Sequence, residues 1–266
     1  MNTRRCAVCG QFYPSNANEI LKMINHFNDV IDEHMEDKSI LSLKPRAIIV
    51  PHAGYVYSGF TANMAFRLLA NSEVKRVVVI GPSHRVYING ASIAKYDDYE
   101  TPFGNIKIDN VLTEELSRRF NLSFTPNAHN EHSTEVQMPF VVHYIKNCSV
   151  VEMVYGDESS KELSKVIEYL LNDINTAVVI SSDLSHYYDI HKAKMLDSIC
   201  LEGIIKEDST ILDNGCEACG KIGIQAMLIA AKKIGLSSKL LDYRTSADAS
   251  SDESAVVGYA SAIFLM

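Results

Sequence analysis

This chain has no apolar run approaching the ~18 residues that a transmembrane helix needs, so no membrane-spanning segment is expected. It also has no cluster of lysine and arginine. Its 25 basic residues are outnumbered by 33 acidic ones, for a formal net charge of −8. A nucleic-acid groove or an anionic membrane surface is therefore not expected as a partner. The opening residues, MNTRRCAVCGQFYP, include basic side chains but no apolar stretch behind them. A secretory leader is thus not expected, and the expected location is the cytoplasm. Several catalytic signatures are missing too: no G-x-S-x-G elbow, no Walker lysine loop and no H-E-x-x-H pair. GFTANMA lacks the glycines of a dinucleotide fingerprint. Ser83 and Ser185 each have a histidine next in sequence, but no oxyanion feature accompanies them. Linkers, repeats and low-complexity stretches are likewise lacking.

What is present is an ordinary globular composition, 47% hydrophobic and 22% charged, in a strand–helix rhythm. That rhythm predicts one α/β domain over residues 1–266 with a mixed sheet. Three short apolar runs, Ala47–Val50, Val77–Ile80 and Ala177–Ile180, are bounded by turn residues and read as buried strands. Each leads into a turn that carries a histidine, in PHAGY, GPSHR and SSDLSHY. Ligands of α/β sheets bind where the chain leaves the carboxyl ends of the strands. His52, His84 and His186, with Asp183, are therefore expected at one rim.

Helical periodicity is expected over residues 16–36, with Ser15 or Asn16 as N-cap, and again around Met64, Ala65, Leu68 and Leu69. A helix beginning near Thr113 carries Leu112, Leu116 and Phe120. Asn89–Gly90 signals a hairpin. Further helices are expected to carry Leu163 to Leu171 and to cover residues 189–206 and 217–235, with a strand at Val150–Tyr155. The tail reads as two strands, Lys239–Tyr243 and Ala255–Phe264, joined by the polar loop TSADASSDES.

Asp183 and His186 are three positions apart, which places them on one face if that segment turns helically and lets the carboxylate orient the imidazole. Any one histidine here could simply hydrogen-bond a loop carbonyl. Three of them after three strands point together to a metal or acid–base site. In NEHSTEVQ, His132 and Glu135 form a further candidate pair, with His132 as acid or base at the mouth. His129 is a weaker candidate, and His26, His34, His143 and His191 read as helix-surface or core residues.

Of six cysteines, four form two C-x-x-C-G units, Cys6/Cys9 and Cys216/Cys219. Paired units of this kind can build a tetrathiolate zinc site, but these lie near opposite ends of the chain. Small buried thiols at the starts of elements are the plainer reading. In a cytoplasmic protein most should be reduced.

PHAGYVYSG, GPSHR, NEHSTEVQMPF, SSDLSHY, ACG at 218–220 and the closing VVGYA resemble the Memo family. That family includes the bacterial and archaeal members called AmmeMemoRadiSam system protein B. The resemblance runs from GQFYP at 10–14 to the C-terminus. It implies a fold similar to the class III extradiol dioxygenases (LigB-like): a central mixed, largely parallel sheet flanked by helices, with the site at strand ends. It implies His52 and His84 as metal ligands, and His186 beside Asp183 as the acid–base histidine. In animal Memo a cysteine in the loop before the last strand completes the metal site. Here Ala249 stands at that place, and the adjacent Asp248 is expected to supply a carboxylate and complete a His–His–Asp set.

The function expected from this resemblance is a metal-dependent oxidoreductase built on non-haem iron. A divalent metal is expected as cofactor, Fe(II) first, with zinc or copper as alternatives. A non-catalytic scaffold that uses a vestigial dioxygenase pocket is the alternative, and a metal-assisted hydrolase the third reading. The expected ligand is a small molecule or peptide of unidentified structure. The family's name implies an AMMECR1-like protein and a radical SAM enzyme as partners.

Overall fold

The structure, a computed structural model, describes residues 2–266. Its main sheet places four parallel strands side by side, in the order Ala47–Val50, Thr176–Ser181, Arg76–Pro82 and Ser149–Tyr155. Antiparallel strands flank them. Val256–Leu265 and then Ser237–Thr245 extend the sheet beside Ala47–Val50, and Ala91–Ile93 closes the other edge. The fold is thus α/β with a mixed, largely parallel centre, as the sequence rhythm predicts. All three histidine-bearing strands are neighbours, so their carboxyl ends share one rim.

The central strands carry no polar alternation because helices cover both faces. Ile49, Val78, Ile80, Met153 and Ile180 face a cluster with residues of the helices Ser160–Leu171 and Lys221–Ile234. Ile48, Val77, Val79 and Val179 face the opposite cluster, with Ala17–His34 and Tyr55–Leu69. Asn16 caps the first of those helices by accepting from the Asn18 amide. The helix expected near Thr113 starts at Asn110, capped by Asp109. Within TSADASSDES a short helix, Ala247–Ser250, forms. Among the described residues no helix is long and apolar enough to cross a membrane.

The expected hairpin at Asn89–Gly90 is corrected. Gly90 does adopt the left-handed turn conformation, at φ +81°. The strand that follows, Ala91–Ile93, pairs with Ser149–Tyr155 rather than with Arg76–Pro82. Both edges of Arg76–Pro82 are already occupied by parallel neighbours, so no hairpin partner fits there.

A second, three-stranded sheet joins Thr3–Arg4 to Asp98–Tyr99 and Ile106–Lys107. It anchors the amino-terminal segment, which then runs to the rim where the histidines collect.

Candidate metal centre

His52 leaves the Ala47–Val50 strand, His84 leaves Arg76–Pro82, and His132 opens the short helix His132–Glu135. One ring nitrogen from each lies within 4.8 Å of the others, a group able to hold a metal ion. The ring centroids are 5.2 Å (His52–His84), 5.3 Å (His52–His132) and 4.6 Å (His84–His132) apart.

His132 is brought in by its short helix, which is pinned to the strand ends. Ser133 Oγ donates to the Pro82 carbonyl at 2.7 Å, Ser181 Oγ donates to the Ser133 carbonyl, and Thr134 Oγ1 donates to buried Glu152. Gly81 makes the approach feasible. A Cβ there would meet Ser133 Oγ at 2.6 Å and Thr134 Cγ2 at 3.1 Å.

His52 is 1% exposed. Its Nδ1 lies 2.9 Å from Ser181 Oγ. That hydroxyl spends its own proton on Ser133 O and accepts from Gln137 Nε2 at 2.9 Å. Nδ1 of His52 must therefore donate, which leaves the lone pair on Nε2. Burial, together with the nearby His84 and His132, holds the His52 pKa well below 6.5, so the ring is neutral. Nε2 looks onto the Cys219 sulfur at 3.3 Å and Asp183 Oδ2 at 4.0 Å.

Glu131 does the same for the other two rings. Its carboxylate is fully buried and accepts from the His84 amide at 2.6 Å, His84 Nδ1 at 3.1 Å, and the amides of His132 and Ser133 at 2.8 and 3.1 Å. His132 Nδ1 also stands 2.7 Å from it, out of line for a straight hydrogen bond. Burial works against this charge, but the close approach of the His132 and His84 side chains, with the His84 amide, prevails and holds the carboxyl well below the usual range. A carboxylate only accepts, so Nδ1 of both rings carries the hydrogen and Nε2 keeps its lone pair. Each of the three imidazoles thus has Nδ1 against Ser181 or Glu131 and its lone pair on Nε2, with the Cys219 sulfur standing against Nε2 of His52.

The other predicted residues fall in different places. His186 is half-buried on the short strand His186–Tyr188, which pairs with Val256–Leu265. It lies at the same rim, close enough to act on His52 and Asp183 electrostatically. The helical turn that was to pair it with Asp183 is not formed, because residues 182–185 are loop. Asp183 Oδ1 instead accepts from the His52 amide at 2.7 Å and holds that loop. Asp248 does not join the histidines. Its residue is exposed, and Oδ2 accepts from Thr245 N at 2.7 Å and Thr245 Oγ1 at 3.2 Å, closing a local turn of the kind aspartate makes. The third member of the group able to hold a metal is His132, and Asp248 of the expected His–His–Asp set lies outside it.

Glu135 is not the partner of His132. It ion-pairs with buried Arg4 and accepts from Ala7 N, Val8 N and Tyr13 OH at 2.8, 2.9 and 2.8 Å. Arg4 also donates to the Glu131 carbonyl at 3.1 Å, and the Phe12 ring sits 4.8 Å from that of His132. The amino-terminal segment is one wall of the centre. His129 is buried apart from it, 3.2 Å from Glu152.

The two C-x-x-C-G units do not share a metal. Cys216 is disulfide-bonded to Cys200, while Cys6, Cys9, Cys148 and Cys219 are free. Cys219 reaches the centre on its own, accepting from Asp183 N at 3.3 Å. Sequence reasoning missed Glu131 and Cys219 as site residues. Local signs are an acid directly before His132 and, for Cys219, the ACG motif at 218–220, to which the sequence reading gives no role at the centre.

The Memo-like protein family model matches residues 4–263. A MEMO1 family protein of Thermoplasma volcanium is 36% identical over 98% of this chain and 97% of its own length. One of Methanocaldococcus jannaschii is 34% identical over 97% of both, and one of Aquifex aeolicus 32% identical over the whole of both.

Proposed function

Because the chain belongs to the Memo-like family, we propose that it is a metal-dependent oxidoreductase whose divalent metal is held by His52, His84 and His132. The carrying observation is the set of three convergent imidazoles with Nδ1 against Ser181 or Glu131 and the lone pair on Nε2. Neutral imidazole is a ligand for iron, zinc and copper alike. We assign Fe(II) to the oxidoreductase reading, in line with the dioxygenase likeness of the family. When bound, such a metal supplies Lewis acidity and a one-electron couple at the strand ends.

The chain's own residues do the rest. Glu131 orients His84 and His132 and offsets positive charge placed between them. Ser181 and Gln137 fix the His52 tautomer. Asp183 locks the backbone of the PHAGY loop. His186, outside the ligand group but at the same rim, takes the substrate's proton and returns it. The Phe12 ring shields one side of His132 from water.

Metal-assisted hydrolysis is the second reading, favoured by a ligand group without a carboxylate, which resembles the three-histidine sites of zinc hydration enzymes.

The test is metal content of protein purified anaerobically without a metal-affinity tag, then titrated with Fe(II), zinc and copper. Near-stoichiometric metal, lost in His52→Ala and His132→Ala, is expected. Folded wild-type protein that takes up none of the three overturns the proposal. Tight zinc with no iron uptake moves it to the hydrolytic reading.

A further inference from the structure

A cavity of about 430 Å³ opens beside the His84 loop, lined by His84, Arg85, Tyr87, Asp157, Cys219 and Ile222 among others. That volume suits a small organic molecule. Arg85 is the feature that gives the cavity a chemistry. Every other arginine is engaged: five in ion pairs, two on backbone carbonyls, and Arg119 4.3 Å from the Tyr169 ring centroid. Arg85 is exposed and, among the described residues, has no ion pair, side-chain hydrogen bond or ring contact. A chain of net charge −8 repels anions over most of its surface, so a free guanidinium next to His84 is where an anion is drawn in. The planar fork of arginine matches a carboxylate.

The other wall narrows the choice. Asp157, to whose Oδ2 the Tyr87 hydroxyl donates at 3.4 Å, lines the same cavity. Its negative charge disfavours a dianion such as a phosphate monoester and leaves room for a single negative charge at Arg85. Tyr87 is 80% exposed, and its ring together with Ile222 offers apolar contact.

We propose that this cavity is the substrate pocket of the centre and that its occupant is a small monocarboxylate. The carboxylate sits on Arg85, the apolar body lies against Tyr87 and Ile222, and the reacting end meets His84. That last point rests on the metal reading above, whereas carboxylate capture does not.

The experiment measures binding of three probes to the wild-type protein by calorimetry or ligand-observed NMR: phenylacetate, phenylacetamide and phenyl phosphate. Phenylacetate binds tightest, with the neutral amide about ten-fold weaker, as loss of one charge-assisted pair implies. Arg85→Gln lowers phenylacetate affinity by about the same factor and leaves the amide unchanged, while Arg85→Lys falls between. Four results overturn the proposal: equal affinity for acid and amide, wild-type affinity in Arg85→Gln, a preference for phenyl phosphate, or no phenylacetate binding at all. Metal titration on the same samples separates the two readings. Carboxylate capture without metal uptake sinks the metal centre and keeps the pocket, and the reverse sinks the pocket alone.

Discussion

The sulfur of Cys219 lies 3.3 Å from Nε2 of His52, although 167 positions separate them in the chain. With Nδ1 of His52 committed to Ser181, the thiol is the donor and the imidazole the acceptor. Burial, with Asp183 close by, pushes the thiol well above its ordinary pKa. Cys219 is therefore a neutral thiol that a metal would have to displace from His52. A thiol reagent at pH 8 is expected to leave Cys219 unmodified in the native protein. After denaturation without reductant four thiols should react, and after reduction the Cys200–Cys216 pair should add to them. Rapid native labelling of Cys219, located by peptide mass, would contradict this.

Glu131→Gln keeps the shape of the side chain and removes the charge that orients two rings. Metal affinity should fall about 10- to 100-fold, the range seen when a carboxylate behind a ligand histidine is lost. Competitive titration with a chromogenic chelator reads it. An unchanged affinity would mean that Glu131 serves only to cap the His132–Glu135 helix.

Asp248→Ala and His132→Ala make a discriminating pair. The first removes a turn cap and should cost about 0.5–2 kcal/mol of stability with full metal retention. The second should abolish stable metal binding. The opposite pattern would restore the His–His–Asp set.

Gly81→Ala should cost about 1–3 kcal/mol, as overpacking of a tight site does, because the new methyl runs into Ser133 and Thr134. Since Ser133 follows His132, metal affinity should drop as well. Thermal melts with and without metal report both effects.

His52 also predicts a pH dependence. Its folded-state pKa is depressed below 6.5 by burial and by His84 and His132. The unfolded chain therefore binds a proton that the folded one refuses, and stability falls as pH falls from 6.5 toward the folded value. Above 6.5 this contribution is fully present. Urea melts of metal-free protein at pH 7.5 and 5.5 should show lower stability at the acid end, and His52→Gln should flatten the difference. Equal slopes in both proteins would remove His52 as the cause.

Much of the fold was legible because it depends on local apolar runs. Ala47–Val50 is a strand with the predicted ends, and the runs at 77–80 and 177–180 lie inside strands three and two residues longer. Their turns gather at one rim because the strands are parallel neighbours, as the α/β rhythm leads one to expect. Pairing across the chain was not legible. Asn89–Gly90 announced its turn correctly, but a strand about sixty residues later took the partner position. Asp248 looked well placed by counting back from VVGYA, yet Thr245, three residues away, captures its carboxylate. His132 enters through hydroxyl contacts with Pro82 and Ser181, which no local periodicity encodes. Cysteine spacing gave no sign of the Cys200–Cys216 bond for the same reason.

Arg4 and Phe12 have a practical consequence for anyone handling the protein. With Arg4 bonded to Glu135 and the Glu131 carbonyl, and Phe12 against His132, trimming the amino end is a mutation of the centre itself. A histidine tag placed there would set competing imidazoles on a segment that touches the site. The last strand runs antiparallel to Ala47–Val50, so Met266, 86% exposed, emerges near the amino ends of the parallel strands, away from the rim. Purification handles belong at that end.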